Sequence, residues 1–190
     1  MKKAIIFDCF GVLALEQYGA LTRAFPWTEQ KVRAASAGVD LGVLSGAERK
    51  KRAIEILDEF GMDSKAAAEY FLGVRDLNKA LLKDIRGLKG QFKLAILSNT
   101  ADDFWQHFRP EDAEELKKMF DVIVLSYEIK KAKPDAGAFE ATLEKLGLDA
   151  NECIFVDDKA KNVETAENLG MAGVVYTWGM NFLGALKRLL

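Results

Sequence analysis

The stretch Cys153-Ile154-Phe155-Val156-Asp157-Asp158-Lys159-Ala160-Lys161-Asn162-Val163-Glu164-Thr165-Ala166-Glu167-Asn168-Leu169-Gly170-Met171-Ala172-Gly173-Val174-Val175-Tyr176 decides the fold. It opens with a short apolar run, Cys153–Val156, and passes two carboxylates. It continues with Val163, Ala166 and Leu169 on one helical face. Gly170 stops that helix, and a second apolar run, Gly173–Tyr176, follows. Strand, helix, strand with no polar alternation in the strands is the pattern of a parallel sheet covered on both faces. Working outward, three more runs of the same kind occur at Ala4–Phe7, Leu94–Leu97 and Val122–Leu125. A helix is expected over Asp135–Leu146, with Phe139, Leu143 and Leu146 on one face, Pro134 before it and Gly147 after it. The fold class is therefore α/β, an open parallel-sheet, Rossmann-like core.

Between Phe7 and Leu94 no strand pattern appears. Ser45-Gly46-Ala47-Glu48 is a capping box. It opens a helix that carries Ile54, Leu57 and Phe60 and ends at Gly61. Asp63-Ser64 starts another, with Tyr70, Phe71 and Val74 inward. The spacing Leu77, Leu81, Ile85, Leu88 predicts a core helix that feeds the second strand. The reading is an α/β core over residues 1–13 and 77–190, with an all-helical insert over 14–76. Tyr18, Phe25 and Trp27 in that insert either line a pocket or, the more ordinary reading, pack within it.

Composition narrows the function. The chain has 190 residues, 49% hydrophobic and 29% charged, and a formal net charge of −2. That suits a globular core. A balanced charge without basic runs gives no footprint for nucleic acid. No apolar stretch approaches the roughly 18 residues that a membrane span needs. The N-terminus reaches Asp8 after too short an apolar run for a signal peptide. A cytoplasmic location is the expectation. Two cysteines, Cys9 and Cys153, cannot supply a disulfide framework or a four-ligand zinc site. One histidine, His107, leaves the chemistry to carboxylates, lysine and hydroxyls.

Three of the apolar runs end in polar residues: Phe7-Asp8, Leu97-Ser98-Asn99-Thr100 and Val156-Asp157-Asp158. In a parallel sheet all carboxyl ends share one edge, where open α/β folds bind ligands. Each piece alone has a plain structural reading. Asp8 can simply end a strand. Ser98 or Thr100 can cap a helix carrying Phe104 and Phe108, and Asp157 or Asp158 can cap the helix after it. Lys133-Pro134 can be an exposed turn. Three strand ends in agreement, with an insert leaving just after the first, favour a shared site with a lid.

Asp8-Cys9-Phe10-Gly11-Val12-Leu13 resembles the first motif of the haloacid dehalogenase-like hydrolase superfamily. Leu97-Ser98-Asn99-Thr100 resembles the second, Lys133-Pro134-Asp135 the third, and Ile154-Phe155-Val156-Asp157-Asp158 with Asn162 the fourth. The resemblance covers about half the chain; the insert matches the family's cap domain in position and helical character. It implies a Mg²⁺-dependent phosphatase of a small phosphorylated metabolite. By the matching positions Asp8 is the nucleophile that forms an aspartyl phosphate. Ser98, Asn99 and Lys133 bind the phosphoryl group, and Lys133 neutralises charge. Asp8, the backbone carbonyl of Phe10 and Asp158 hold the metal, with Asp157 acting through water or by orienting a ligand.

Phe10 departs from the pattern. Phosphatases of this family usually carry a second Asp there, which protonates the leaving oxygen and activates water; such acid–base help is worth ~10²–10⁴-fold. Strand alternation would put Asp8 and Phe10 on one face and Cys9 on the other, in the core. A carboxylate at position 10 would then speed hydrolysis. His107 is expected on the surface or in side-on helix packing. Two other readings stand beside the phosphatase. One is a metal-independent 2-haloacid dehalogenase, against which the paired Asp157-Asp158 argues. The other is a catalytically impaired protein that binds a phosphorylated ligand or a partner.

Overall fold

The computed structural model describes residues 1–15, 41, 43, 45–59 and 74–190. Five parallel strands form its centre: β1 (Ala4–Phe7), β2 (Lys93–Ser98), β3 (Val122–Leu125), β4 (Cys153–Asp157) and β5 (Ala172–Val175). Their spatial order is β3-β2-β1-β4-β5. All four pairings are parallel, with Ile5 opposite both Leu94 and Ile154. The chain goes from β1 to one side and returns to the other, so the order reverses at β1, where α/β sheets bind ligands.

The expected strands are present, with ends shifted by a residue. β4 runs on to Asp157 because its pairing with β5 continues to Val175. Tyr176 lies beyond β5, but its N–H still reaches the Asp157 carbonyl at 2.8 Å. Its hydroxyl accepts a hydrogen bond from Asn78 Nδ2.

Alternating side chains feed two cores. Ile5, Phe7, Leu94, Ile96, Ile154 and Val156 face one way. They pack with Leu81, Leu82 and Ile85 of α2 (Lys79–Arg86), Leu116 of α3 (Pro110–Met119), and Phe182 and Leu186 of α7 (Phe182–Lys187). Ala4, Ile6, Ala95, Leu97, Cys153 and Phe155 face the other way. They meet Phe139 and Leu146 of α5 (Ala136–Leu146), and Val163 and Ala166 of α6 (Ala160–Asn168). The one-turn α4 (Ser126–Ile129) follows β3 directly. Asp135 caps α5 by accepting from the Gly137 N–H, and Gly147 ends it in the left-handed conformation.

The helix expected at Ser45 is α1 (Gly46–Glu59). Its capping box forms: Glu48 N–H donates to Ser45 Oγ, and Ser45 N–H to Glu48 Oε2. The helix expected from Asp63-Ser64, with Tyr70 and Phe71, lies outside the described residues. So do Tyr18, Phe25, Trp27 and the expected helix end at Phe60-Gly61. Val74, expected to face inward on a helix, is instead 47% exposed. It belongs to an irregular segment leading back to the core, where no helical face exists to bury it. The outgoing and returning chains lie side by side. Leu15 N–H bonds the Asp76 carbonyl, Asn78 N–H bonds the Leu13 carbonyl, and Ala14 bridges Leu77.

Candidate active site

Four loops meet at the carboxyl edge of the sheet. The first leaves β1 at Asp8, whose N–H bonds the Val156 carbonyl at 2.8 Å. The chain then turns tightly: the Cys9 carbonyl accepts from Val12, Leu13 and Ala14. Cys9 is fully buried, as its core reading required. Gly11 makes the turn possible with φ of +102°, and it leaves room for a neighbour. A Cβ at position 11 would stand 2.6 Å from Asp158 Cγ. The Asp158 carboxylate therefore rests on a bare glycine.

Lys133 stands at the centre, on the loop between α4 and α5, just before a cis peptide to Pro134. Its Nζ donates to Asp8 Oδ1 at 2.5 Å and to Asp157 Oδ2 at 2.8 Å. All three residues are buried, at 6%, 5% and 0% exposure. Asp157 has both oxygens engaged: Oδ2 also accepts from Asn162 Nδ2 at 3.0 Å, and Oδ1 accepts from the Lys159 N–H. Asp157 thus bonds both the buried lysine and the backbone N–H of Lys159, although the N-cap of α6 is Lys159 itself and no side chain caps that helix. Asp8, Asp157 and Asp158 each present an oxygen within 4.8 Å of the others. Asp8 and Asp157 share the Lys133 ammonium. The Asp8 carboxyl is raised to about 7: burial, above all, and the Asp157 charge push it up against the pull of Lys133. Burial alone would lower the Lys133 pKa, but Asp8 and Asp157 outweigh it and hold the ammonium above its ordinary value.

The β2 loop supplies hydroxyls and a grip. Ser98 Oγ and Thr100 Oγ1 are buried without a hydrogen-bond partner among the described residues. Neither caps the segment that follows, a single 3₁₀ turn (Phe104–His107) preceded by Asp103. Asn99 does what the sequence reading missed: its Oδ1 accepts from the Lys133 N–H at 2.9 Å and its Nδ2 donates to the Lys133 carbonyl at 2.8 Å. The Asn99 side chain is spent on the lysine's backbone. Ser126 grips Thr100 in the same way, through that residue's N–H and carbonyl. An Asn beside the motif-two Ser was the available signal, but its partner lies across the sheet edge, invisible to local pattern.

Phe10 differs from expectation, and His107 takes the packed rather than the surface alternative. β1 ends at Phe7, so strand alternation does not carry through the turn to Phe10. The Phe10 ring packs edge-on to Phe104 and His107, centroids 5.8 Å from each, and stacks on Phe108 at 6.1 Å. His107 is only 4% exposed, with Nε2 3.5 Å from Asp103 Oδ1. In a 3₁₀ turn residues three apart eclipse, so His107 follows Phe104 inward rather than to the surface.

The oxygen-only donors at Asp8, Asp158 and Asp157 fit a hard divalent cation of the Mg²⁺ type. Among the described residues no helix is long and apolar enough to cross a membrane.

Comparison with known proteins agrees with this geometry. A family model described as haloacid dehalogenase-like hydrolase matches residues 2–170. A phosphorylated carbohydrates phosphatase of Thermotoga maritima is 25% identical, over 92% of this chain and 86% of its own. Five further curated relatives, at 25–43% identity, are longer proteins of which the chain spans 17–54%. Among solved structures, a HAD family enzyme of Bacteroides thetaiotaomicron in a magnesium complex has a TM-score of 0.75 at 24% identity, covering 98% of both chains. The L-2-haloacid dehalogenase of Xanthobacter autotrophicus with chloropropionic acid covalently bound has 0.66 at 21%, covering 91% of this chain and 76% of that one. At these identities the two structures share the fold.

Proposed function

This chain belongs to the haloacid dehalogenase-like hydrolases, and from that premise we propose that it is a Mg²⁺-dependent phosphatase of a small phosphorylated molecule. The observation that carries the proposal is the cluster of three carboxylates, Asp8, Asp157 and Asp158, with the buried Lys133 ammonium bonded to two of them. So much negative charge suits a cation and a phosphoryl group together. It suits poorly an uncharged carbon centre that needs neither. The Thermotoga relative, a phosphatase by name, supports the same choice.

In this reading an Asp8 oxygen attacks phosphorus, the bond from phosphorus to the ester oxygen breaks, and the leaving alkoxide takes a proton from solvent water and departs as the alcohol. Water then cleaves the aspartyl phosphate and frees Asp8 and phosphate. Ser98 Oγ, buried and without a partner among the described residues, donates to a phosphoryl oxygen. Lys133 balances the charge that gathers on Asp8 and the phosphoryl group. Asn99 acts by holding the Lys133 backbone, not by its own side chain reaching phosphate. Asp8, the Phe10 carbonyl and Asp158 hold the cation, and Asp157, its oxygens already bonded, orients Lys133 and Asn162. When bound, Mg²⁺ supplies positive charge that keeps Asp8 ionised near neutrality and screens it from the incoming phosphate. The insert over residues 14–76 acts as a cap.

Hydrolysis of a panel of aryl, sugar and acyl phosphates and of 2-haloacids, with and without Mg²⁺, tests the proposal. Phosphate release that needs Mg²⁺, with a trapped acyl phosphate on Asp8, is the expected result. Halide release without metal would replace the reading with the dehalogenase. Phosphate binding without turnover would make the chain a phospho-ligand binder.

A further inference from the structure

The insert is anchored to the loop that follows motif two. Gly46, the first residue of α1, donates its N–H to Asp102 Oδ1 at 2.7 Å. A methyl group on Gly46 would collide with the Asp103 carboxylate. Two consecutive carboxylates thus meet the N-terminal end of α1, where unpaired N–H groups and the helix dipole favour negative charge. Ser45 and Glu48 already form the box within the insert. The Asp102 contact adds a tie between segments distant in the chain.

The tie continues inward. Asp103 sits 3.5 Å from His107 Nε2, and the His107 ring lies edge-on to Phe10. Phe10 belongs to the turn that begins just after Asp8. Packed groups therefore run without a break from α1 to the nucleophile's loop. We propose that Asp102 and Asp103 are positioning residues that seat α1 on the core. Through His107 and Phe10 they couple that seating to the placement of the turn after Asp8. The apolar ring at position 10 is the inner end of this linkage, which a carboxylate could not be. Only the consequence for catalysis, that the insert acts on the reacting loop, rests on the hydrolase reading.

The test is hydrogen exchange by mass spectrometry on the full-length protein, with neither metal nor ester present, so its outcome is independent of whether phosphate esters are hydrolysed. Peptides spanning 45–59 and 9–14 are followed in wild type, Asp102→Ala, Gly46→Ala and Phe10→Leu. Loss of one helix-end tie corresponds to about fivefold faster exchange in 45–59. That is expected for Asp102→Ala and Gly46→Ala, with faster exchange in 9–14 as well. Coupling is reciprocal, so Phe10→Leu should loosen 45–59. Gly46→Ala is the sharper variant: alanine is the better helix former, so an unseated α1 would exchange more slowly. If Gly46→Ala does not fold, Asp102→Ala carries the same measurement, since its side chain is exposed. Unchanged or slower exchange in 45–59 would overturn the seat. Faster exchange in 45–59 alone, with 9–14 unmoved and Phe10→Leu silent, would overturn the coupling.

Discussion

Lys133 faces two buried carboxylates with one positive charge, and Asp8 bears the consequence. Its ordinary pKa of 3.8 is raised to about 7, first by burial. Between those values the folded protein keeps a proton that the unfolded chain has lost. That proton's stabilisation is full below about pH 4 and declines as pH rises to 7. Urea unfolding in the presence of a chelator should therefore show stability falling from pH 4 to pH 7 in wild type. Asp8→Asn should flatten that slope and abolish hydrolysis while keeping the fold. A slope unchanged by the substitution, or activity retained after deamidation is excluded, would remove Asp8 from both roles. Ser98 presents the opposite case, a buried hydroxyl with no hydrogen-bond partner among the described residues. Ser98→Ala should leave stability unchanged or raise it by up to ~1 kcal/mol. Phosphate release should fall ~10²–10³-fold, the loss typical of one oxyanion donor. A clear drop in Tm with intact turnover would reverse that assignment.

At the scale of elements, the site is made by loops that hold one another. Asn99 of the β2 loop grips both backbone groups of Lys133. Asn99→Ala strands a buried N–H and carbonyl, each worth about 1–3 kcal/mol when unpaired, and frees the lysine to shift. Denaturation and kinetics together should show a loss of that size and a lower kcat; normal kcat in a destabilised variant would mean that Lys133 stays put without its grip. The turn after β1 makes a different point about Phe10. The alternation expected from sequence stops at Phe7, and the Phe10 ring lies among Phe104, His107 and Phe108. Phe10→Asp would place a carboxylate among aromatic rings. Phe10 is partly buried, so the expected outcome is a loss of up to ~3–5 kcal/mol, the range for a core aromatic, with no gain in kcat. A folded Phe10→Asp variant with faster turnover would show that the side chain swings back toward Asp8.

For the whole molecule, the parallel sheet gathers at one edge carboxylates that the chain separates widely. A cation binding only the folded state stabilises it by about 2.7 kcal/mol at a hundredfold excess over Kd. Millimolar Mg²⁺ should raise Tm by an amount that Asp158→Asn largely removes; a Tm indifferent to Mg²⁺ would sink the cation site. The sequence by itself determined the sheet and the edge. Continuous apolar runs require strands buried on both faces, parallel strands share a carboxyl edge, and the polar residues ending them must then meet. Resemblance to the family's four motifs pointed to Asp8, Ser98, Lys133, Asp157 and Asp158, and the fold brings Asp8, Lys133, Asp157 and Asp158 together. Only the tertiary structure decided that Asn99 serves Lys133, that His107 turns inward, that Phe10 packs away from strand register and that Asp102 ties Gly46. Those contacts join residues on different loops, and their partners are set by how loops cross the sheet edge. No hydrophobic period or capping signal encodes that crossing.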